Sequence, residues 1–201
     1  MIKTKKDLDF YIAADRMIRG LSPQLNFKDR IFQFFGAYSF CGGGHILEYQ
    51  RQMRYCSFLK KSSGIDKLRY IYHLRIFGKL GRQLGFTIGY DCFGYGLLIP
   101  HYGTVVVHEG VRAGNYCVLH TSTCIGGGNK VFGNGLDVST GAKIMGEGEL
   151  GDGITAAGNS YVNCSQLGGQ KTSFLQEFQL QSRKKTILFG IPKMRELSKK
   201  E

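Results

Sequence analysis

Three of the five histidines in this 201-residue chain, His101, His108 and His120, fall within twenty residues of one another, and Glu109 lies among them. Imidazole is the side chain whose ordinary pKa leaves it a neutral base near pH 7. It can take the proton of a hydroxyl as that oxygen attacks an electrophilic carbon, and a carboxylate can orient the imidazole or the hydroxyl. Glu109 is equally well read as an exposed turn residue. Three imidazoles are also the residue type that holds a catalytic zinc ion. The six cysteines, at 41, 56, 92, 117, 124 and 164, include no Cys-x-x-Cys pair of the metal-binding kind.

The elements that must position these groups are marked by a six-residue period. Phe132, Val138, Ile144, Leu150, Ala156 and Val162 are each six apart. Ala113, Leu119 and Ile125 keep the same step one residue out of phase, so one extra residue lies within 126–130. A second series, small or apolar, precedes the first by two residues and includes Val111, Cys117, Thr123, Leu136 and Ala142. This period is neither that of a helix nor that of a plain strand. It is the hexapeptide repeat of a parallel β-helix, in which short strands and turns form three sides of a narrow prism. Two positions per hexapeptide point inward and must be of moderate size, because successive coils lie only ~4.8 Å apart. Cys117 occupies such a position as a small hydrophobe. Gly114, Gly126, Gly133 and Gly151 follow inward positions, where turn conformations costly to other residues are expected.

On this register His108 and His120 follow inward positions and face outward. Counting back in sixes from Ala113 places His101 inward, where an imidazole would be a buried, hydrogen-bonded structural group. Pro100 and Gly103 stand on either side of it and can distort the coil enough to turn it out.

The expected fold is therefore mainly β with α: a parallel β-helix over residues 86–165, about four coils, preceded by a helical region over 1–85 and followed by an irregular basic segment over 166–201. Helices are expected over 5–20, 46–61 and 65–84. In the last, Ile65, Leu68, Tyr72, Ile76 and Leu80 make an apolar stripe for packing, and Lys67, Arg69, Arg75, Lys79 and Arg82 make a solvated face. A basic, aromatic helix of this kind can also lie on a membrane surface. Residues 27–40 are rich in Phe and Tyr, with a break expected at 41–44, and 186–192 read as a final extended piece.

The net charge of +12 is unevenly spread. Residues 1–85 carry sixteen Lys and Arg against six Asp and Glu, residues 86–165 three against six, and residues 166–201 eight against three. The positive field of the flanks suits a phosphorylated cofactor or an anionic membrane. No nucleic-acid-binding motif accompanies it, so no nucleic-acid partner is expected. No apolar run reaches the ~18 residues of a membrane span, and the N-terminus is not an apolar signal region. A reduced, cytoplasmic protein is the natural expectation.

Residues 96–107, Gly-Leu-Leu-Ile-Pro-His-Tyr-Gly-Thr-Val-Val-Val, resemble the active-site coil of bacterial serine acetyltransferases, a family of left-handed β-helix acyltransferases. The resemblance runs on through Glu109, Asn115, Leu119-His120 and Cys124-Ile125-Gly126-Gly127. It resumes at 141–144 and 157–162, and again in Phe189-Gly190-Ile191-Pro192. A helical region followed by this coil resembles the smaller capsule-cluster members of the family.

The resemblance implies a homotrimer with active sites in the clefts between neighbouring prisms, and acetyl-CoA as cosubstrate. His101 then matches the general base, while Glu109 and His120 match positions that line the cleft. The pantetheine arm is implied to run past Gly126, Gly141, Ala142, Ala157 and Gly158, with Lys193 near the phosphates. The family's aspartate before the catalytic histidine is Pro100 here, and its Arg-His pair after the glycines reads Gly128 and Asn129. Those groups help hold an amino acid, so the acceptor is open between serine and a sugar hydroxyl of polysaccharide synthesis. A zinc-dependent hydratase on the same fold has a histidine spacing unlike this one, so no metal is expected. A non-catalytic trimeric scaffold is the other alternative.

Overall fold

The computed structural model describes residues 2–24 and 43–167. The expectations for 27–40, for the segment beyond 167 and for Lys193 lie outside the described residues.

Three long helices come first among the described residues. The helix α1, Lys5–Met17, starts at a capping box: Thr4 Oγ1 accepts the Asp7 N–H at 3.1 Å, and Asp7 Oδ2 accepts the Thr4 N–H at 2.9 Å. The helix α2, Gly43–Leu59, includes Gly43 and Gly44, both buried, where a break over 41–44 and a helix only from 46 were expected. The helix α3, Ile65–Leu84, has the expected bounds and ends on Gly85 in the left-handed conformation, φ 81°.

The face that α3 packs is not the expected stripe. Tyr70, His73, Phe77, Leu80 and Leu84 meet α2 and the first coil: Phe77 stacks on Tyr49 with ring centroids 4.7 Å apart, and His73 stacks on Tyr55 at 4.3 Å. Ile65, Leu68 and Tyr72 lie exposed on the other side. Only Leu80 and the half-buried Ile76 of the expected stripe touch the core. No helix among the described residues is long and apolar enough to cross a membrane.

From Phe86 the chain winds into a left-handed parallel β-helix of about four turns. Its first face stacks β1 (Phe86–Thr87), β2 (Val105–Val107), β5 (Thr123–Ile125), β8 (Lys143–Met145) and β11 (Tyr161–Asn163). The second stacks β3 (Val111–Ala113), β6 (Lys130–Phe132) and β9 (Gly148–Leu150), with Phe93 bridged to Ala113 below them. The third stacks β4 (Val118–Leu119), β7 (Asp137–Val138) and β10 (Thr155–Ala156), with Leu98 bridged to Val118. Every pairing is parallel. The inward residues form one apolar core that continues into Ile46, Tyr49 and Met53 of α2.

The extra residue sits where the period placed it: Val111 pairs with Lys130, nineteen positions on, whereas Lys130 pairs with Gly148, eighteen on. Lys130 is itself at an inward position and buried. Its ammonium donates to the carbonyl oxygens of Gly126 and Gly128 and so fastens the enlarged corner from inside.

Of the glycines after inward positions, Gly114 and Gly133 have a different cause from the one expected, whereas an added Cβ would meet nothing within 4 Å at Gly151 and first the flexible Met145 side chain at Gly126. Gly114, Gly126, Gly133 and Gly151 do not adopt left-handed angles. In the corner between the second and third faces the coils instead approach too closely for a side chain. A Cβ on Gly94 would lie 2.8 Å from the Gly114 oxygen, one on Gly114 2.8 Å from the Gly133 carbonyl carbon, and one on Gly133 2.7 Å from that of Gly151. The next residue in each coil completes the corner. The Asn115 side chain accepts the Tyr95 N–H at 3.1 Å, Asn134 that of Asn115 at 2.8 Å, and Asp152 that of Asn134 at 2.6 Å.

The first coil has no coil before it, and its free edge is covered by polar side chains of the helices. Arg54 donates to the carbonyls of Phe93 (2.8 Å) and Gly94 (2.7 Å), and Gln50 to that of Leu97 (2.6 Å). Asp15 accepts the Leu97 N–H at 2.9 Å and pairs with Arg54 at 2.8 Å, both side chains being buried.

Candidate functional site

His101 is exposed, not inward. The corner that carries it explains why. Leu98 of the third face and Val105 of the first are seven positions apart, whereas the partners stacked on them, Val118 and Thr123, are five apart. Residues 100–104 are thus a corner enlarged by two, which shifts the inward phase from His101 to Ile99 and Val105, both fully buried. The signal is in the sequence when it is counted forward: Leu97 and Ile99 are followed by Val105 and Val107 after eight positions, not six.

Both ends of this corner are fixed by the helical region. Arg19, just beyond α1, donates through Nη2 to the carbonyl oxygen of Ile99. Burial lowers its guanidinium to about 10 while the nearby Asp15 carboxylate works against that shift, so Arg19 is a cation at neutral pH. At the other end, the Gly103 N–H donates to the Leu84 carbonyl at 2.9 Å and the Val105 N–H to that of Gly85 at 3.0 Å. A Cβ on Gly85 would stand 2.9 Å from the Gly103 oxygen, so only glycine fits against the corner. Neither Arg19 nor Gly85 stood out in the sequence, where one resembles a surface charge and the other a helix stop.

His120 lies on the same edge of the prism, one coil further on, and is half-buried. Its N–H donates to the Val138 carbonyl at 2.9 Å, and the buried Thr123 hydroxyl donates to its carbonyl at 2.9 Å. The two corners touch: a Cβ on Gly103 would lie 3.4 Å from the Thr121 side chain. Continuing along this edge come Gly141 and Ala142, then Ala157 and Gly158. Gly141 has φ 77°, and its N–H donates to the Thr121 carbonyl at 3.1 Å. The Ala142 side chain is buried in the core and its N–H donates to Ser139 at 3.1 Å. Ala157 and Gly158 are exposed, as is Lys143 on the adjoining first face.

Glu109 and Gly126 belong to a different edge, between the first and second faces. Strand β2 separates Glu109 from the His101 corner within one chain. Glu109 is exposed, and its carbonyl oxygen accepts from Arg112 at 2.6 Å. His108 beside it is exposed and accepts the Gly110 N–H through Nδ1 at 3.1 Å, a turn contact. Gly126 donates to the Ile144 carbonyl at 2.9 Å and accepts from Lys130. Among the described residues no group of three His, Cys, Asp or Glu side chains is placed to hold a metal ion. Burial pushes the Cys117 thiol up to about 12, as expected of an inert core residue.

No family model matches the chain, and no curated protein matches it. Among solved structures it is similar to a serine acetyltransferase of Neisseria gonorrhoeae in complex with serine: TM-score 0.47 and 16% identity, over 80% of this chain and 66% of that one. A serine acetyltransferase in complex with CoA gives TM-score 0.47 and 14% identity over 79% and 68%. The soybean serine acetyltransferase complexed with serine gives 0.45 and 18% over 79% and 68%. The chain thus spans about two thirds of the length of these enzymes.

Proposed function

We propose that the chain is an O-acetyltransferase that moves the acetyl group of acetyl-CoA directly onto a hydroxyl, with His101 as general base. The observation that carries this reading is the His101 corner: an exposed imidazole on an enlarged turn, clamped by Arg19 and Leu84, one coil from His120 on the same edge. A hydroxyl is too weak an acid to ionise at neutral pH, so a fixed neutral imidazole is what the reaction needs. One ring nitrogen takes the hydroxyl proton as the oxygen bonds to the thioester carbonyl carbon. The oxyanion of the tetrahedral intermediate accepts from an N–H donor. Collapse then breaks the carbon–sulfur bond, and the imidazolium returns the proton to the CoA thiolate.

His120 positions the acceptor. The edge that bears Ala157 and Gly158 is exposed and poor in side-chain bulk, which suits a pantetheine arm lying close; Lys143, and Lys193 in the tail, supply cations for the phosphates. The amides of Gly126, Gly141 and Ala142 already donate within the solenoid and Ala142 is fully buried, so these N–H groups are not free for the arm. Because Glu109 lies one edge away from His101, the two act on one acceptor only if a neighbouring prism brings its own edge alongside, as in a homotrimer. Pro100, Gly128 and Asn129 offer no charge to an amino acid, which counts against serine and makes a sugar hydroxyl the second acceptor class to test. The five described cysteines are free thiols, in keeping with a cytoplasmic setting.

Calorimetry with CoA, followed by thiol release from acetyl-CoA in the presence of L-serine or of sugars, tests this reading. CoA binding with acceptor-dependent thiol release is expected. Absence of CoA binding by folded protein would overturn it in favour of a non-catalytic scaffold.

A further inference from the structure

We propose that the outward face of α3 docks on an anionic membrane surface. The helix has two faces of different character. One is spent inside the protein, through Tyr70, His73, Phe77, Leu80 and Leu84. The other carries Leu68, Ile71, Tyr72, Arg75, Lys79 and Arg82 at helical spacing, and all six are exposed. Its first turns are apolar: Ile65 is 79% exposed, Leu68 68%, Tyr72 62% and Ile71 42%. Large aliphatic side chains left this open on a packed helix mark a contact surface. Its later turns are cationic.

The charge on the helix selects the occupant. Lys67, Arg69, Arg75, Lys79 and Arg82 are all exposed, and the one acid on α3, Asp66, is paired with Arg69 at 2.8 Å. A second copy of this face would set like charges against each other, whereas an anionic lipid surface neutralises them. Apolar side chains beside an interfacial tyrosine, followed by cations along the same face, match a helix lying at the headgroup boundary. The rest of the molecule supports the same orientation. Residues 86–165 carry three Lys and Arg against six Asp and Glu, so a negative surface attracts the helical end and repels the solenoid.

Sedimentation of the full chain with vesicles tests the docking without reference to enzyme activity. Binding to phosphatidylcholine vesicles containing phosphatidylglycerol is expected, with little binding to phosphatidylcholine alone and weaker binding as salt is raised. The double variant Arg75→Glu, Lys79→Glu should lose binding on the order of tenfold or more. Leu68→Ser with Tyr72→Ser should lose it comparably at unchanged helicity, because both side chains are mostly exposed and the Tyr72 ring contact at 5.3 Å is with His73, its neighbour on the same helix. No binding to the anionic vesicles, or binding that both variants retain, overturns the proposal. So does a result in which Leu68→Ser dissociates an oligomer while no vesicle binding is seen, which would assign the face to a second copy.

Discussion

Arg54 and Asp15 form a buried ion pair, Nε to Oδ2 at 2.8 Å and Nη2 to Oδ1 at 3.0 Å, and together they close the open end of the β-helix. Asp15 accepts the Leu97 N–H and Arg54 donates to the Phe93 and Gly94 carbonyls, so a contact between two helices also orders the first coil. Removing one partner strands the other charge. Arg54→Met should therefore cost about 3–5 kcal/mol in urea unfolding. Adding Asp15→Leu should recover only part of that, because the carbonyls of Phe93 and Gly94 stay unpaired.

The contact between Gly85 and the His101 corner predicts an effect on turnover separate from folding. Gly85→Ala places a side chain at a left-handed φ of 81° and 2.9 Å from the Gly103 oxygen. The conformation alone costs roughly 1–2 kcal/mol. The corner must also move, so turnover should fall further than the loss of folded protein explains, while CoA affinity holds. Steady-state kinetics and thermal melting on one preparation separate the two effects.

The solenoid was legible because its physics is repetitive: every coil must fill the same two inward positions, and nine in-phase residues plus one slip near Gly126 expose the rule. The corners were not, because each is a local departure. Two added residues before Val105 moved His101 out of the core, and counting back from Ala113 could not see them. Lys130 is not legible as an inward residue because a buried cation breaks the apolar pattern that defines those positions. Asp15, Arg19 and Arg54 read as surface charges, since nothing in one sequence says which carbonyls an uncovered edge leaves open. On α3 both faces carry apolar residues at helical spacing. The stripe through Ile65, Leu68 and Tyr72 looked the better core face, but aromatic stacking on Tyr49 and Tyr55 set the orientation.

His73 gives a pH dependence. Its Nδ1 lies 2.6 Å from Gln52 Oε1, and burial, with Arg51 and Arg69 nearby, holds its pKa below the usual 6.5. The folded state therefore binds fewer protons than the unfolded state around that pH, and stability rises with pH. The contribution is complete above about 6.5 and is lost as pH falls through the lower folded value. The melting temperature should drop on acidification below pH ~6.5, with a shallower slope in His73→Gln.

A shared cleft requires neighbouring prisms. Sedimentation velocity at micromolar concentration should give a trimer with closed symmetry. A monomer with full acetyl transfer would show that one edge suffices, and would remove Glu109 from the site of His101.

The central claim is that His101 is the base. His101→Ala removes an exposed side chain from a corner fixed by its backbone, so the fold, the oligomeric state and CoA affinity should stay near wild type. Turnover should fall by roughly 10²–10⁴-fold, the usual worth of a general base. His120→Ala should cost less, because it positions and does not take the proton. The most direct measurement is acetyl transfer by His101→Ala on protein shown to be folded and to bind CoA. A loss of that size is the result the mechanism predicts. Turnover near wild type on such protein would contradict it.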